Sequence, residues 1–173
     1  MHCFIFETGK YDIGAFSLSD DIGVSRAEAQ DYINQYLAGF PKVDEYLKNT
    51  IAEAYEQGYV TTLFGRKRYI PELSGTNKMQ QKFGERVAMN SPIQGTAADL
   101  IKLAMIRVHK RLQEEKLDAR LILQVHDELL VEAHRDCADL AERILQEEME
   151  QVAALSVPLT VEIHTGENWF EAK

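Results

Sequence analysis

The segment QVHDELLVEA places three titratable side chains in a row, His126, Asp127 and Glu128, between two apolar runs at residues 120–125 and 129–133. Two such runs with so short a spacer read as an antiparallel hairpin whose tip projects from a sheet. A carboxylate on that platform offers a hard oxygen ligand at a fixed position, suited to Mg²⁺. The plainer alternative is a polar turn, because Asp is common in turns for its own backbone reasons. A second pattern is the recurrence of Arg86, Asn90 and Gln94 at steps of four. If the backbone stays helical through Ser91-Pro92, all three share one face, with the apolar stripe opposite. One long cation and two amides in file can address N3 of purines and O2 of pyrimidines, acceptors that the DNA minor groove shows at every base pair. Such a row would hold a duplex without reading its sequence. The plainer alternative here is a solvated helix face.

Charge sharpens the second pattern. The chain carries a formal net charge of −9 over 173 residues, which by itself argues against a nucleic-acid partner, since phosphate contacts need Lys and Arg. The cations are not spread evenly, however. Arg66, Lys67 and Arg68 are consecutive, and Lys78, Lys82 and Arg86 come after them, while acids gather near Asp20 and Asp21 and in the last third. A basic stretch inside an acidic chain is more informative than the total.

The elements that must position these residues are legible in outline. Ser25 with Glu28 three residues on forms a capping box, opening a helix to about Gly39 whose inner face is Ala29, Tyr32, Ile33, Tyr36 and Leu37. Pro41 opens a second helix, closed by Gly58, with Val43, Tyr46, Leu47, Ile51, Ala54 and Tyr55 inward. β-Branched and aromatic residues around Gly65 predict a hairpin or tight loop. A helix is expected over residues 80–89, and Ser91-Pro92 opens or bends the next. Its stripe is Ile93, Ala97, Leu100, Ile101, Ala104, Met105, Val108 and Leu112. After the hairpin come a helix over 135–153 and a strand over 157–164. Helices on one face of a small antiparallel sheet make an α+β fold. No apolar run is long enough for a bilayer, the start lacks a signal-peptide pattern, and Cys3 and Cys137 suggest neither a disulfide framework nor a zinc site. The expectation is a soluble cytoplasmic protein without a membrane partner.

Together the two segments, in this order and at this separation, resemble the family A DNA polymerases, those of the bacterial DNA polymerase I type. QVHDEL resembles the family's third catalytic motif, RVAMNSPIQGTAADLIKLAMI the helix beside it, and GYVTTLFGRKRYIPEL the loop before that helix. IGAFSLSDDIGVSRAEAQDYI resembles the start of the second fingers helix, and VPLTVEIHTGENWFEAK the family's C-terminal end. The resemblance covers about residues 11–173. It implies a fingers part and connecting loop at residues 1–78, and a palm at residues 79–173 with helices on its small antiparallel sheet. It makes Asp127 a metal-binding aspartate of a two-Mg²⁺ site for nucleotidyl transfer, the ions roughly 4 Å apart. Glu128 becomes a supporting acid and His126 a neighbour of the primer 3′ end. Arg86, Asn90 and Gln94 become minor-groove contacts, Arg66, Lys67 and Arg68 neighbours of duplex phosphates, and Tyr11 a nucleotide-binding residue. The partners implied are primer–template DNA and a dNTP, in a nucleoid-associated setting of replication or repair.

The sequence also departs from the family pattern. No DYSQIELR-type strand, which carries the family's first catalytic aspartate, occurs in the chain. The residues before Tyr11 hold one cation, Lys10, where the nucleotide-binding helix has an Arg and a Lys, and Asp12 stands where Gly is expected. Asp12 and Asp20 are candidate substitute carboxylates, with no spacing that favours either. The expectation is a C-terminal fingers and palm portion, inactive alone unless a partner chain supplies the missing parts. The alternative is a non-catalytic remnant that binds duplex DNA or self-associates through surface exposed by truncation.

Overall fold

A computed structural model describes the backbone of residues 2–4 and the whole of residues 14–172. In chain order the elements are β1 (His2–Phe4), α1 (Ala15–Ile22), α2 (Arg26–Gly39), α3 (Pro41–Gln57), β2 (Tyr59–Thr61), β3 (Lys67–Tyr69), α4 (Lys78–Glu114), β4 (Ala119–Val125), β5 (Glu128–Ala133), α5 (Ala138–Glu150) and β6 (Glu162–His164). Short 3₁₀ turns cover Pro71–Ser74 and Arg135–Cys137. The chain divides into two compact units, one of residues 9–96 and one of residues 1–8 and 97–173.

In the first unit, local chemistry sets the helix ends. Gly23 and Gly58 close α1 and α3 at φ of +70° and +76°, a region where side chains are strained. The expected capping box opens α2. Glu28 N donates to Ser25 Oγ, and the Glu28 carboxylate accepts from Ser25 N at 3.0 Å and from Ser25 Oγ at 2.7 Å. Those bonds, the hydroxyl's foremost, hold the Glu28 carboxyl below its usual range. A small core of Ala54, Val60, Ile70, Leu73 and Ala88 joins α3, the β2–β3 hairpin, the Pro71–Ser74 turn and the start of α4. The inner faces expected for α2 and α3 are corrected here. Ala29 and Ala54 are buried, but Tyr32, Tyr36, Val43, Tyr46 and Tyr55 are exposed. These helices carry more apolar surface than the unit's small core takes up, so the periodicity marks a stripe without marking what covers it.

In the second unit, α5 and the C-terminal part of α4 pack on a four-stranded sheet of order β4-β5-β1-β6. The core holds Leu100, Ile101, Ala104, Val108 and Leu112 from α4, Leu129 and Val131 from β5, and Ala141, Ile144, Leu145 and Met149 from α5. The α4 residues recur at steps of three and four, as the 3.6-residue period requires. Burying side chains of this size contributes roughly 1.5–3 kcal/mol each, which makes this stripe the main source of the unit's stability.

Several boundaries differ from the sequence expectation. The two helices expected around Ser91-Pro92 are one, α4, with Pro92 inside it. An interior proline costs roughly 3 kcal/mol, and helix packing on both sides, at Ala88 and Leu100, offsets it. The strand expected over 157–164 is ordered as β only at Glu162–His164. The helix expected from residue 135 begins with a 3₁₀ turn. β1 and α1 had no sequence signal clear enough to place them.

Candidate functional site

The hairpin tip is built by a register shift. β4 and β5 pair Leu121 with Val131 and then Leu123 with Leu130, so Ile122 is an extra residue in β4. Such a bulge bends a strand and re-aims the side chains beyond it. With it, Val125 pairs with Glu128 and only His126 and Asp127 form the loop. His126 sits at φ +51°, a conformation that costs an L-residue roughly 1–2 kcal/mol. Gln124 Nε2 donates to the His126 carbonyl and pins the turn. His126 is exposed, and Asp127 and Glu128 are partly covered. Burial pushes the Asp127 carboxyl above its ordinary range. The Glu128 charge adds to this, while a backbone hydrogen bond at Asp127 and the nearby His126 oppose it. A cation bound beside this carboxyl would favour its ionised form.

The donor set at this turn is incomplete for a metal ion among the described residues. Among the described residues, no three His, Cys, Asp or Glu side chains converge on one point. Mg²⁺ prefers six oxygens in octahedral order and takes one or two carboxylates from the protein. Asp127 with Glu128 can supply part of that set, and no chemical step is derived through it.

The basic residues form a more complete arrangement in the other unit. A groove of about 510 Å³ is lined by Arg66 and Arg68 of the hairpin and by Arg86, Asn90 and Gln94 of α4. Phe83, Ser91 and Gly95 line it as well, and no acidic residue does. The helix runs unbroken through Pro92, so Arg86, Asn90 and Gln94 do lie on one face. Asn90 is half-buried, and its Oδ1 is a buried polar atom without a hydrogen-bond partner. Such an orphan is uncommon enough to suggest a partner that is absent from the chain. The Arg86 guanidinium stands 5.7 Å from the Phe83 ring centroid, within reach of a cation–π contact. Glu85 is engaged elsewhere: the Tyr55 hydroxyl donates to it at 2.9 Å, which raises the Tyr55 pKa.

The groove's geometry depends on how the hairpin is fastened to α4. Gly65, at φ +78°, turns the chain between β2 and β3, and its N–H donates to Thr62 O. Thr96 Oγ1 accepts from Leu63 N at 2.9 Å and donates to Pro92 O at 2.6 Å. Arg66 Nη2 donates to Gly95 O at 3.0 Å, so Arg66 is a clasp as well as a groove cation. A Cβ on residue 95 would sit 2.6 Å from Thr62 Cγ2, which explains a glycine in mid-helix. The sequence reading missed this clasp, although a glycine inside a strong helical period is its signal.

Of the residues proposed from sequence, Arg66, Arg68, Arg86, Asn90 and Gln94 come together. Lys67 does not join them. Strand alternation turns it to the other face of the hairpin, where its Nζ lies 4.2 Å from the Tyr59 ring centroid. His126, Asp127 and Glu128 share the hairpin tip of the other unit. Tyr11, Lys10 and Asp12 lie outside the described residues, and Asp20 is exposed on α1. No helix among the described residues is long and apolar enough to cross a membrane.

Comparison with known proteins places this architecture. The family model for DNA polymerase family A matches residues 8–171. DNA polymerase I of Caldicellulosiruptor bescii is 51% identical over 163 residues, which cover 94% of this chain and 19% of that protein. The thermostable DNA polymerase I of Thermus aquaticus is 46% identical, also over 94% of this chain and 19% of its own length. Among solved structures, the POL domain of Pol1 from M. smegmatis, in complex with DNA primer-template and dNTP, aligns with a TM-score of 0.89 at 39% identity. That alignment covers 94% of this chain and 29% of the other. The chain belongs to DNA polymerase family A. It spans about a fifth of the length of the curated relatives it matches.

Proposed function

We propose that this chain is the duplex-holding and metal-ligating portion of a DNA-directed DNA polymerase, with fingers and connecting loop at residues 1–78 and palm at residues 79–173. Arg86, Asn90 and Gln94 contact the minor groove near a primer terminus. Arg68 and Arg66 neutralise backbone phosphates, with Lys67 reaching phosphate from the other face of the hairpin. Asp127, supported by Glu128 and with His126 beside the primer end, gives one ligand position to a Mg²⁺ site completed by residues outside this segment. Tyr11 is assigned to the incoming nucleotide. The observation that carries this reading is the groove: three arginines and a row of two amides, with no acid among them, in a chain of net charge −9. With about three or four phosphate contacts, binding falls between roughly micromolar and sub-millimolar at physiological salt.

Primer extension tests the reading, run with Mg²⁺ or Mn²⁺ on a primed template beside Asp127→Ala. The expected result is no extension by the 173-residue chain, with salt-sensitive duplex binding in the same samples. Extension abolished by the substitution would mean that another carboxylate completes the site within this segment. Absence of duplex binding would favour a second reading, a self-associating remnant. The exposed Tyr32, Tyr36, Phe40, Val43 and Tyr46 support that one, and sedimentation at low concentration decides it.

A further inference from the structure

The β2–β3 hairpin has two faces, and the groove uses one of them. Val60 of β2 pairs with Arg68 of β3, and both line the groove. Successive side chains of a strand point to opposite faces, so the neighbouring pair, Tyr59 with Tyr69, lies on the other side together with Lys67. There the two rings meet edge to face, their centroids 5.6 Å apart, and the Lys67 ammonium stands 4.2 Å from the Tyr59 centroid. A cross-strand ring pair is an ordinary way to steady a short hairpin, and it accounts for the half-buried Tyr59. It leaves Tyr69 unexplained, since that residue stays 67% exposed.

Charge says what such a surface suits. Residues 57–71 carry three cations, Arg66, Lys67 and Arg68, and no carboxylate, in a chain of net charge −9. The complementary occupant is therefore an anion. Exposed rings beside a cation suit an anion that carries flat apolar faces at intervals, which describes bases joined by phosphates. In a duplex those faces are already stacked on one another. Unpaired bases offer theirs to a tyrosine.

We propose that the outer face of the β2–β3 hairpin is a stacking platform for unpaired nucleotides, the single-stranded continuation of a DNA whose paired part lies in the groove on the hairpin's other face. Tyr69 takes the face of one base, Lys67 the adjoining phosphate, and Tyr59 backs them both. The continuity with a duplex rests on the polymerase reading; affinity for a separate single strand does not. The hairpin then divides its work, with arginines toward paired DNA and tyrosines toward unpaired DNA. Stacking on a ring tolerates any base, so the platform adds affinity without adding sequence preference.

The test is fluorescence anisotropy with the full chain and three labelled DNAs: a blunt duplex, the same duplex with an unpaired extension of about six thymidines, and separate oligothymidine of about twelve. Wild type is compared with Tyr69→Ala and with Tyr69→Trp, which keeps a ring, and an unchanged urea midpoint shows that each variant is folded. The extension is expected to tighten wild-type binding about tenfold. Tyr69→Ala should lose that gain and weaken oligothymidine binding by a similar factor, while Tyr69→Trp keeps both. Blunt-duplex affinity should stay within about twofold in both variants, as for a surface substitution away from the contact. No gain from the extension in the wild type, or a gain that survives Tyr69→Ala, would overturn the platform. So would equal weakening of all three DNAs by Tyr69→Ala, the mark of a distorted hairpin or of a duplex contact. Failure of the polymerase reading looks different: oligothymidine binding that depends on Tyr69, with no binding of the blunt duplex, would keep the platform and remove the duplex from the groove.

Discussion

The arginine groove and the His126-Asp127 turn solve different problems with different degrees of completeness. The groove is built within one unit from α4 and a hairpin clasped to it, and its cations act additively. On the proposed reading each phosphate contact contributes on its own, so a chain that matches about a fifth of its relatives' length can keep a useful share of them. The turn offers one carboxylate on a strained, bulged hairpin, and a metal site needs several ligands at one point. Holding a duplex, on the proposed reading, therefore needs less of the polymerase than completing the metal site does.

Four substitutions sharpen this contrast. The largest stability effect is expected for Gly95→Ala, which drives a methyl into Thr62 and loosens the hairpin that carries Arg66 and Arg68. Overpacking of this kind costs about 1–3 kcal/mol, against roughly 1 kcal/mol gained in helix propensity. Urea unfolding should show net destabilisation together with weaker duplex binding. Unchanged stability would mean that the clasp is loose. Arg68→Ala comes next: affinity should fall about equally for all duplex sequences, and the salt slope should shrink by about 1. A sequence-dependent loss would contradict a phosphate role.

At the turn the expected signs reverse. His126→Gly relieves the left-handed backbone and should raise stability by about 0.5–1 kcal/mol, since glycine accepts that conformation. Destabilisation would show that the imidazole holds the turn by contacts that outweigh the strain. The smallest effect is for Asp127→Asn. A carboxyl whose pKa is raised on folding binds its proton more tightly in the folded state. Its stabilising effect is thus complete below the unfolded pKa and is lost as pH rises through the folded one. Asparagine should stabilise the chain near neutral pH by about 0.5 kcal/mol or less, given the group's exposure, and the gain should vanish in acid. A stabilisation that grows in acid would contradict the stated sign.

Periodicity and turn chemistry made much of this fold legible. The capping box at Ser25 and Glu28, Pro41 and Gly58 bounding α3, and the change of period from α4 into the β4–β5 hairpin are local signals, and each has its counterpart in the structure. Non-local features were not legible. Nothing in residues 2–4 announces a strand between β5 and β6, because pairing partners more than a hundred residues away leave no local pattern. The Ile122 bulge looks like one more apolar residue in an apolar run. Pro92 read as a boundary because its cost is local and its compensation is tertiary. The step of four from Arg86 through Asn90 to Gln94 was legible as a helix face. The clasp at Gly95, which brings Arg66 and Arg68 to that face, was visible only once the hairpin was placed.

The most direct measurement is equilibrium binding of a mixed-sequence duplex across a salt series, comparing the wild-type chain with Arg66→Ala/Arg68→Ala/Arg86→Ala. With Arg66, Arg68 and Lys67 on phosphates and Arg86 a further cation in the minor groove, the log–log slope is expected at about −3 to −4 for the wild type and about −1 for the variant, which keeps Lys67. Equal slopes for the two chains would place the duplex elsewhere and contradict the groove as the element that holds it.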